Sequence, residues 1–444
     1  MIGKINFTQG NTRKNIIQMF LPLCVAMTLT MIYSIVDSLW VGNLLGERGM
    51  SALTAGTAIV LILNSLSMGM GNGVSVMISQ LIGAREHKKI AGVSATIVLT
   101  STVLSIIMSV VCELLIRPLL TVMGTPEEIF SSAIRYLAIY LIGNCALFVY
   151  MQFTSIFRAF GDSVFQMKGM LITTIFNAIA DPFLIKLWGL EGAAIATVIS
   201  ECLCLLYAIF YYWKKRMFKM CFREMKKEYV LQMFQLGIPT TIQGIMPALS
   251  SAIMVTLVMP FGLEAMAGYG VARNLELIMF MPTNAMTMTI TTIVGQCAGA
   301  KEWGLAKHYY KECMAIGGGL VAILSTLIIA LVAPLTSLFG QGAVIAEIVS
   351  AFFRIISVGY VLYMLTSCVQ GYLTGAGKPG CSMILMIFYY LIIRVPSALL
   401  FQTRFGLTGI WLGFLVSHIL AAIIGFIMLK TCIAKQEDLP TIHA

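Results

Sequence analysis

Polar side chains that could bind an ion or a proton stand inside long apolar stretches in the first half of this sequence. Asn177 and Asp181 are four residues apart, which puts an amide and a carboxylate on one face of a helix. Asp37 lies in another apolar stretch, and Thr197 is expected at a depth similar to that of Asp181 on the following helix. Oxygen-rich groups suit a hard cation such as Na⁺, and the same carboxylates can instead take up a proton. These residues form a candidate cation or proton site, and no other metal site is expected.

Each of these acids also has a structural interpretation. Asp37 could extend from the end of its helix toward water, and Pro182 could kink its helix around a satisfied pair of Asn177 and Asp181. A carboxylate in hydrocarbon costs about 2.5–3.5 kcal/mol on insertion scales, which favours the functional interpretation. Glu201 is a third acid inside an apolar stretch, and its role stays open.

The composition indicates the solvent around these groups. Of the residues, 59% are hydrophobic and 11% are charged, whereas an average soluble domain has about 25% charged residues. The apolar stretches run for about twenty residues or more, unlike the alternating strands of a membrane barrel. We therefore predict an all-α polytopic membrane protein with about twelve transmembrane helices. They are expected near residues 16–41, 51–80, 91–115, 133–157, 164–187, 190–213, 232–259, 267–297, 308–333, 348–371, 380–402 and 406–430.

The basic residues predict the topology. The net charge of +10 comes from Lys and Arg in short loops, most of them on one side of the predicted helices, rather than on a domain that could bind nucleic acid. The longest basic stretch, residues 214–227, falls on the same side. Both termini are therefore predicted to be cytoplasmic, in a bacterial or archaeal plasma (inner) membrane with its lipids as surroundings. The eleven cysteines are scattered and are interpreted as reduced core residues.

An internal repeat predicts the domain organisation. The motif Gln80-Leu-Ile-Gly83-Ala84 recurs as Gln296-Cys-Ala-Gly299-Ala300, and Gly46 with Met50 recurs at the same separation as Gly262 with Met266. We predict an N-lobe of six helices (residues 1–213), a basic linker (214–231) and a C-lobe of six helices (232–444). Such lobes are expected to be related by a pseudo-twofold axis along the membrane normal, with a path for alternating access between them.

Several other residues have candidate roles. Pro22 interrupts the hydrogen bonding of the first helix and is a candidate gating position, although prolines also kink membrane helices without gating. Arg273 and Glu276 are three residues apart and are predicted to form a structural ion pair. Arg354 and Arg394 have no acid within a helical turn, and their roles stay open.

Flexible apolar residues are abundant, and they could line a promiscuous pocket. The chain has 30 Met and 24 Phe residues, most of which are expected in ordinary core or lipid-facing positions. Candidate pocket residues are Met31, Met151, Phe153 and Met246. None of the four histidines lies near a second catalytic group in sequence, so no enzyme activity is expected.

With these motifs in view, the chain resembles the multidrug and toxic compound extrusion (MATE) transporters over essentially its whole length. The resemblance rests on Val36-Asp37-Ser-Leu-Trp-Val-Gly42, Gln80-Leu-Ile-Gly83-Ala84, Arg158-Ala-Phe-Gly161-Asp162 and the segment from Asn177 to Pro182. It implies an antiporter that expels amphipathic, often cationic drugs and dyes in exchange for Na⁺ or H⁺, without a cofactor. A monomer is expected, because no interface signal indicates otherwise.

The resemblance also implies roles for individual residues. In the DinF-type branch of the family, the coupling positions fall on Asp37, Tyr33, Asn177, Asp181 and Thr197, and the bending proline falls on Pro22. The helix-seven Glu of the NorM-type branch falls on Pro247, so a cation site in the C-lobe is not expected. The alternative function is a lipid-linked oligosaccharide flippase of the same superfamily, for which buried arginines would hold a pyrophosphate.

Overall fold

The computed structural model describes residues 5–337 and 342–437, and within these ranges the regular structure is entirely helical. Short 3₁₀ turns at Phe222–Glu224 and Met259–Phe261 and a π-helical turn at Phe388–Ile393 join some of the α-helices. The α-helices are α1 (Thr12–Gly83), α2 (His87–Val122), α3 (Glu127–Ala159), α4 (Val164–Trp188), α5 (Leu190–Lys215), α6 (Lys227–Val258), α7 (Leu263–Gly299), α8 (Trp303–Ser337), α9 (Ala343–Gly375), α10 (Pro379–Ile387) and α11 (Arg394–Glu437).

The described residues contain ten helical stretches long and apolar enough to cross a membrane, and two of them are long enough to cross twice. Helix α1 has 72 residues, which would extend about 108 Å in one direction against a hydrocarbon layer of about 30 Å. Its backbone turns at Gly46, where φ is 64° and ψ is −157°, a conformation that favours glycine. Helix α11 turns in the same way at Gly406, with φ 57° and ψ −135°. The prediction of twelve spans is therefore confirmed.

The internal repeat is visible in the backbone. Arg85 and Lys301, at corresponding positions after the two Gln-x-x-Gly-Ala motifs, have left-handed φ angles of 59° and 60°. Gly161 and Gly377 correspond in the same way, each with φ 79°. These matching angles, at an identical glycine pair and at a pair that differs in sequence, show that the two halves repeat one local structure.

The chain packs into two compact units. Among the described residues, unit 1 contains residues 5–6 and 21–241, and unit 2 contains residues 7–20 and those from 242 onward. Helix α1 therefore begins in unit 2 and continues in unit 1, whereas α6 begins in unit 1 and continues in unit 2. The predicted lobes (1–213 and 232–444) follow the order of the chain rather than its packing, and they stay a prediction.

The turn at Gly46 divides α1 into a first arm before it and a second arm after it. In unit 1, the start of α6 packs closely on the second arm of α1 through glycines. A Cβ atom added at Gly69 would lie 2.3 Å from Cα of Thr241, and one at Gly73 would lie 2.7 Å from N of Gly237. Thr240 donates its hydroxyl to the carbonyl of Gly69 at 2.6 Å. The glycines of this stretch are therefore close-packing positions, as expected for small residues between membrane helices.

In unit 2, the start of α1 packs on α8 through polar contacts. Arg13 pairs with Glu312 at 2.7 Å, and the Asn15 amide donates to the hydroxyl of Tyr309 at 2.8 Å. Just before the helix, Phe7 is fully buried. These contacts fix the first residues of α1 within unit 2.

The basic segment after α5 is an ordered part of unit 1. The side chain of Phe218 is buried and stacks on Phe160, with ring centroids 5.7 Å apart. The backbone N–H of Cys221 donates to the carbonyl of Ala91 at 3.1 Å. The basic side chains of this segment point outward and are exposed, as expected for a charged connection in contact with water: Lys214, Lys215, Arg216, Lys219, Arg223, Lys226 and Lys227.

Candidate functional site

The carboxyl groups of Asp37 and Asp181 meet inside unit 1. Asp37 lies on the part of α1 before Gly46 and Asp181 lies on α4, and their carboxyl groups are close enough to interact with each other. Oδ1 of Asp37 and Oδ2 of Asp181 are buried and have no hydrogen-bond partner in the protein. Two carboxyl groups in contact need a proton or a cation between them, because two buried negative charges repel each other.

Asn177 positions Asp181 on α4. Its side-chain amide donates to Oδ1 of Asp181 at 3.0 Å, across one helical turn. Both residues are fully buried, and Oδ1 of Asn177 has no hydrogen-bond partner. The i, i+4 pair predicted from sequence is thus formed, but it leaves oxygen atoms unused. The interpretation of a fully satisfied polar pair beside a proline kink does not fit these atoms.

A second polar contact borders the site where α1 faces α5. The hydroxyl of Tyr33 on α1 donates to Oγ1 of Thr197 on α5 at 3.2 Å. Thr197 is mostly buried. Tyr33 also interacts electrostatically with Asp37, four residues further along α1. The structure therefore brings all five sequence-predicted coupling residues into one region of unit 1.

Helix α3 and the second arm of α1 add residues that the sequence analysis did not include. Tyr136 and Tyr140 are buried on α3, and their rings stack with centroids 6.3 Å apart. Tyr140 donates to Oδ1 of Asn64 at 3.5 Å, and Tyr136 interacts electrostatically with Asp37 and Asp181. The i, i+4 spacing of two tyrosines in an apolar stretch was the one available signal.

The chemistry of this site follows from its unpartnered atoms, which are all oxygens. Two carboxyl groups, an amide and hydroxyls can bind a proton or a small hard cation such as Na⁺. In the described part of the chain, no group of three or more His, Cys, Asp and Glu residues could hold a metal ion. This donor set therefore does not fit a transition metal such as zinc.

The structure also locates the predicted gating and pocket residues. Pro22 lies inside α1, next to the boundary where the helix passes from unit 2 to unit 1. Met31 and Met151 are partly exposed. Phe153 is 4% exposed and packs in the core of unit 1. Met246 is buried in unit 2.

The predicted ion pair between Arg273 and Glu276 is not formed as a direct salt bridge, although the two side chains interact electrostatically. The two side chains, both described, form no salt bridge, since Arg273 is exposed whereas Glu276 is buried. Glu276 instead accepts a hydrogen bond of 2.7 Å from the hydroxyl of Tyr360 on α9. A spacing of three residues permits contact along one helix, but here packing against α9 gave the acid a neutral partner.

Arg394 occupies a buried aromatic environment in unit 2. Its guanidinium lies over the rings of Tyr389, Tyr390 and Phe414, 4.5 to 4.8 Å from their centroids. It donates to the hydroxyl of Tyr389 at 2.5 Å and to Ser417 at 3.1 Å. Cation–π contacts and hydroxyl acceptors thus stabilise this charge inside the protein. Arg354, by contrast, is exposed.

Comparison with known families gives a match in both halves of the chain. The family model described as MatE matches residues 22–183 and again residues 239–400. The two matches fall at corresponding positions of the internal repeat. Together they cover most of the chain, including the residues of the candidate site.

Curated relatives extend over nearly the whole length. The probable multidrug resistance protein YpnP of Bacillus subtilis (strain 168) is 27% identical over 432 residues, covering 95% of this chain and 96% of the relative. The multidrug export protein MepA of Staphylococcus aureus (strain NCTC 8325 / PS 47) is 22% identical over 422 residues, covering 94% and 93%.

Solved structures share the fold. One is an outward-facing multidrug resistance transporter of the MATE family and the MOP superfamily, with a TM-score of 0.90, 23% identity and coverage of 97% of this chain and 98% of the other. Another, a MOP superfamily transporter from Pyrococcus furiosus Vc1, has a TM-score of 0.92 at 22% identity, with the same coverage. At these identities the likeness concerns the fold.

Proposed function

Since the chain belongs to the MatE family of multidrug and toxic compound extrusion transporters, we propose that it exports amphipathic organic cations in exchange for inward Na⁺ or H⁺. It is a multi-pass membrane protein, and we place it in a plasma membrane with both termini in the cytoplasm. The observation that supports coupling is the interaction of Asp37 with Asp181, with one oxygen of each carboxyl group left without a partner.

In this mechanism, the coupling ion binds the two carboxyl groups from the outside. Asn177 holds Asp181 in place through its amide, and Tyr33 and Thr197 supply hydroxyl oxygens nearby. A bound cation or proton removes the repulsion between the carboxylates, so the ion-bound form has a different stability from the empty form. The ion can drive transport only if it and the drug favour different conformations.

Linkage then couples the two transport steps. If ion binding disfavours the drug-bound outward-facing state, drug binding disfavours ion binding by the same factor. One elementary charge that moves down a membrane potential of 100 mV supplies about 2.3 kcal/mol, which corresponds to roughly 50-fold accumulation. This driving force is sufficient for drug export against a gradient.

Helix α1 connects the site to the conformational change. It carries Tyr33 and Asp37, and it passes from unit 2 to unit 1 next to Pro22. A proline removes a backbone hydrogen bond inside a helix and lowers the cost of bending there. We propose that α1 bends at Pro22 when the carboxyl groups bind or release their ion.

The alternative function, a lipid-linked oligosaccharide flippase, receives no support from the arginines. Arg394 is enclosed by aromatic rings and bonded to hydroxyls, whereas Arg273 and Arg354 are exposed. A pyrophosphate would need these cations to converge on one buried surface. Accumulation of lipid-linked intermediates on depletion of the protein would support the flippase instead.

Dye export tests the proposal. Ethidium efflux is measured in drug-sensitive cells that express the wild type, Asp37→Asn or Asp181→Asn, with the Na⁺ and H⁺ gradients collapsed separately. We expect efflux to stop when one of the two gradients is collapsed, and to be absent in both Asp37→Asn and Asp181→Asn. Glu47→Gln, a charge change at an exposed residue, is the control. Full efflux in both Asn variants would contradict the assignment of the coupling site.

A further inference from the structure

Glu201 is a third carboxyl group in unit 1 that the proposed mechanism does not use. It lies on α5, one turn after Thr197, and it is 7% exposed. Its Oε2 atom is buried without a hydrogen-bond partner in the protein. Because α5 begins at Leu190, Glu201 lies roughly 16 Å along the helix at about 1.5 Å per residue. It is therefore close to the middle of its membrane span.

The space around this carboxyl group is very small. A Cβ atom added at Gly143 on α3 would lie 2.4 Å from Oε2 of Glu201 and 2.9 Å from Cγ2 of Val198. The carboxyl oxygen is thus pressed against the backbone of α3, and only a glycine leaves room for it. An organic cation does not fit there, and a metal cation would need several further oxygen ligands. A proton is the ligand that this position can accept.

The neighbours of Glu201 carry no positive charge. The ionisable groups that interact with it are the hydroxyls of Tyr33, Tyr136 and Tyr140 and the thiols of Cys202 and Cys204. Among the described residues, burial dominates its environment and no basic side chain contributes. A carboxylate without a cation at this depth costs about 2.5–3.5 kcal/mol on insertion scales, and binding of a proton removes this cost.

Glu201 is separate from the pair of aspartates, and Tyr33 interacts electrostatically with both acidic positions. Asp37 and Asp181 interact with each other, and neither contributes to the environment of Glu201. Tyr33 interacts with both Asp37 and Glu201 and donates to Thr197. The two acidic positions can therefore be occupied independently, while Tyr33 interacts electrostatically with both.

We propose that Glu201 is a second proton-binding carboxyl group of unit 1, so that one transport cycle moves two protons inward for each monovalent organic cation moved outward. This inference rests on the proposed antiport. One proton binds at the pair of Asp37 and Asp181, and one binds Oε2 of Glu201 as an O–H bond. Both protons are released to the cytoplasm before the organic cation binds. The protein then returns to the outward-facing state with both positions unprotonated and the organic cation bound. The exchange carries one net positive charge inward.

The charge balance is measurable with the full-length protein in proteoliposomes. Ethidium is the transported cation, protein-free liposomes are the blank, and a membrane potential is set with valinomycin and K⁺. A pH difference of one unit without a potential supports about 100-fold accumulation for two protons and about 10-fold for one proton. A potential of 100 mV changes the limit for two protons about 50-fold and leaves a one-for-one exchange unchanged.

We expect two-proton behaviour for the wild type and one-proton behaviour for Glu201→Gln, which retains ethidium transport. Glu201→Asp, which keeps a carboxyl group, is expected to remain sensitive to the potential. Glu191→Gln is the matched control on the same helix, at a partly exposed position paired with Arg135. Unchanged potential sensitivity in Glu201→Gln, or loss of all its transport in folded protein, would overturn the proposal.

Proton release gives a second measurement that does not depend on the variant folding. In weakly buffered detergent solution, the wild type is expected to release about two protons for each ethidium bound; release of one or fewer overturns the role of Glu201. Failure of the antiport itself has a different signature, namely no gradient-driven ethidium transport by the wild type. Transport driven by Na⁺ without any proton movement also rejects the proposal for Glu201 but leaves the antiport intact.

Discussion

The side-chain amide of Asn177 donates to Oδ1 of Asp181 at 3.0 Å, one helical turn apart on α4. This contact fixes the direction of the Asp181 carboxyl group, so that its other oxygen, which has no partner in the protein, is left for a ligand. Asn177→Ala removes the donor and leaves a buried carboxyl group less constrained. We expect the apparent affinity for the coupling ion in ethidium efflux to fall about 5- to 30-fold, from a lost bond to a charged group worth about 1–2 kcal/mol.

Asn274→Ala, at an exposed position on α7, is the control for this substitution. An ion dependence of Asn177→Ala equal to that of the wild type would show that Asp181 does not need this positioning.

The hydrogen bond from Tyr33 to Thr197 joins α1 to α5 beside the aspartates. Tyr33→Phe and Thr197→Val each remove one member of the bond while they keep the shape of the side chain. We expect each change to lower the apparent affinity for the coupling ion in ethidium efflux a few-fold. The double variant should be no worse than either single variant by more than about 0.5 kcal/mol, because both remove the same contact. Strictly additive effects would mean that the two hydroxyls act separately.

Pro22 and Pro239 lie at corresponding positions of the repeat, each close to the boundary where its helix passes from one unit to the other. Substitution by alanine restores a helical N–H and makes bending more costly, by up to about 3 kcal/mol. We expect Pro22→Ala and Pro239→Ala to slow ethidium efflux at saturating dye at least several-fold, with dye binding in detergent unchanged. Pro118→Ala, inside α2 and exposed, should transport normally. Equal efflux in all three variants would remove the hinge from the mechanism.

Close packing at Gly69 makes a prediction about stability. Gly69→Ala places a methyl group 2.3 Å from Cα of Thr241, and overpacking of this kind costs about 1–3 kcal/mol. We expect a lower midpoint of thermal unfolding in detergent, measured by tryptophan fluorescence. Gly319→Ala is the matched control, because nothing lies within 4 Å of its added Cβ. A midpoint for Gly69→Ala at or above that of the control would contradict the packing.

Glu276, a buried acid of unit 2, should be structural rather than coupled to transport. Glu276→Gln keeps an acceptor for the hydroxyl of Tyr360, so we expect the ion dependence of efflux to remain that of the wild type. Tyr360→Phe leaves the buried carboxyl group without its donor and should lower thermal stability by about 1–3 kcal/mol. A changed number of transported ions in Glu276→Gln would instead place a coupling group in unit 2.

The sequence was sufficient for features that depend on one helix at a time. Unbroken apolar stretches predicted the spans, and the spacing of Asn177 and Asp181 predicted their contact, because both are properties of a single helix. The meeting of Asp37 with Asp181 was reached through depth in the membrane and a family resemblance. Nothing in the spacing itself brings residues of α1 and α4 together.

Features that depend on helix packing were not accessible in this way. Tyr140 and Asn64 reach the site because α3 packs against neighbouring helices, and neither residue has a sequence pattern that reports this contact. The pairing of Arg273 with Glu276 failed for the same reason. Spacing along α7 shows that two side chains can meet, but burial of one face against α9 decides whether they do.

Neither half of the chain contains a complete unit. Residues 7–20 pack with the second unit and residues 227–241 with the first, so each half contributes the start of one helix to the other. Either half expressed alone would therefore lack the helix start that completes its unit. Because each unit uses residues of both halves, the two units need not be alike, and they carry a carboxyl cluster around Asp181 in one and an enclosed Arg394 in the other.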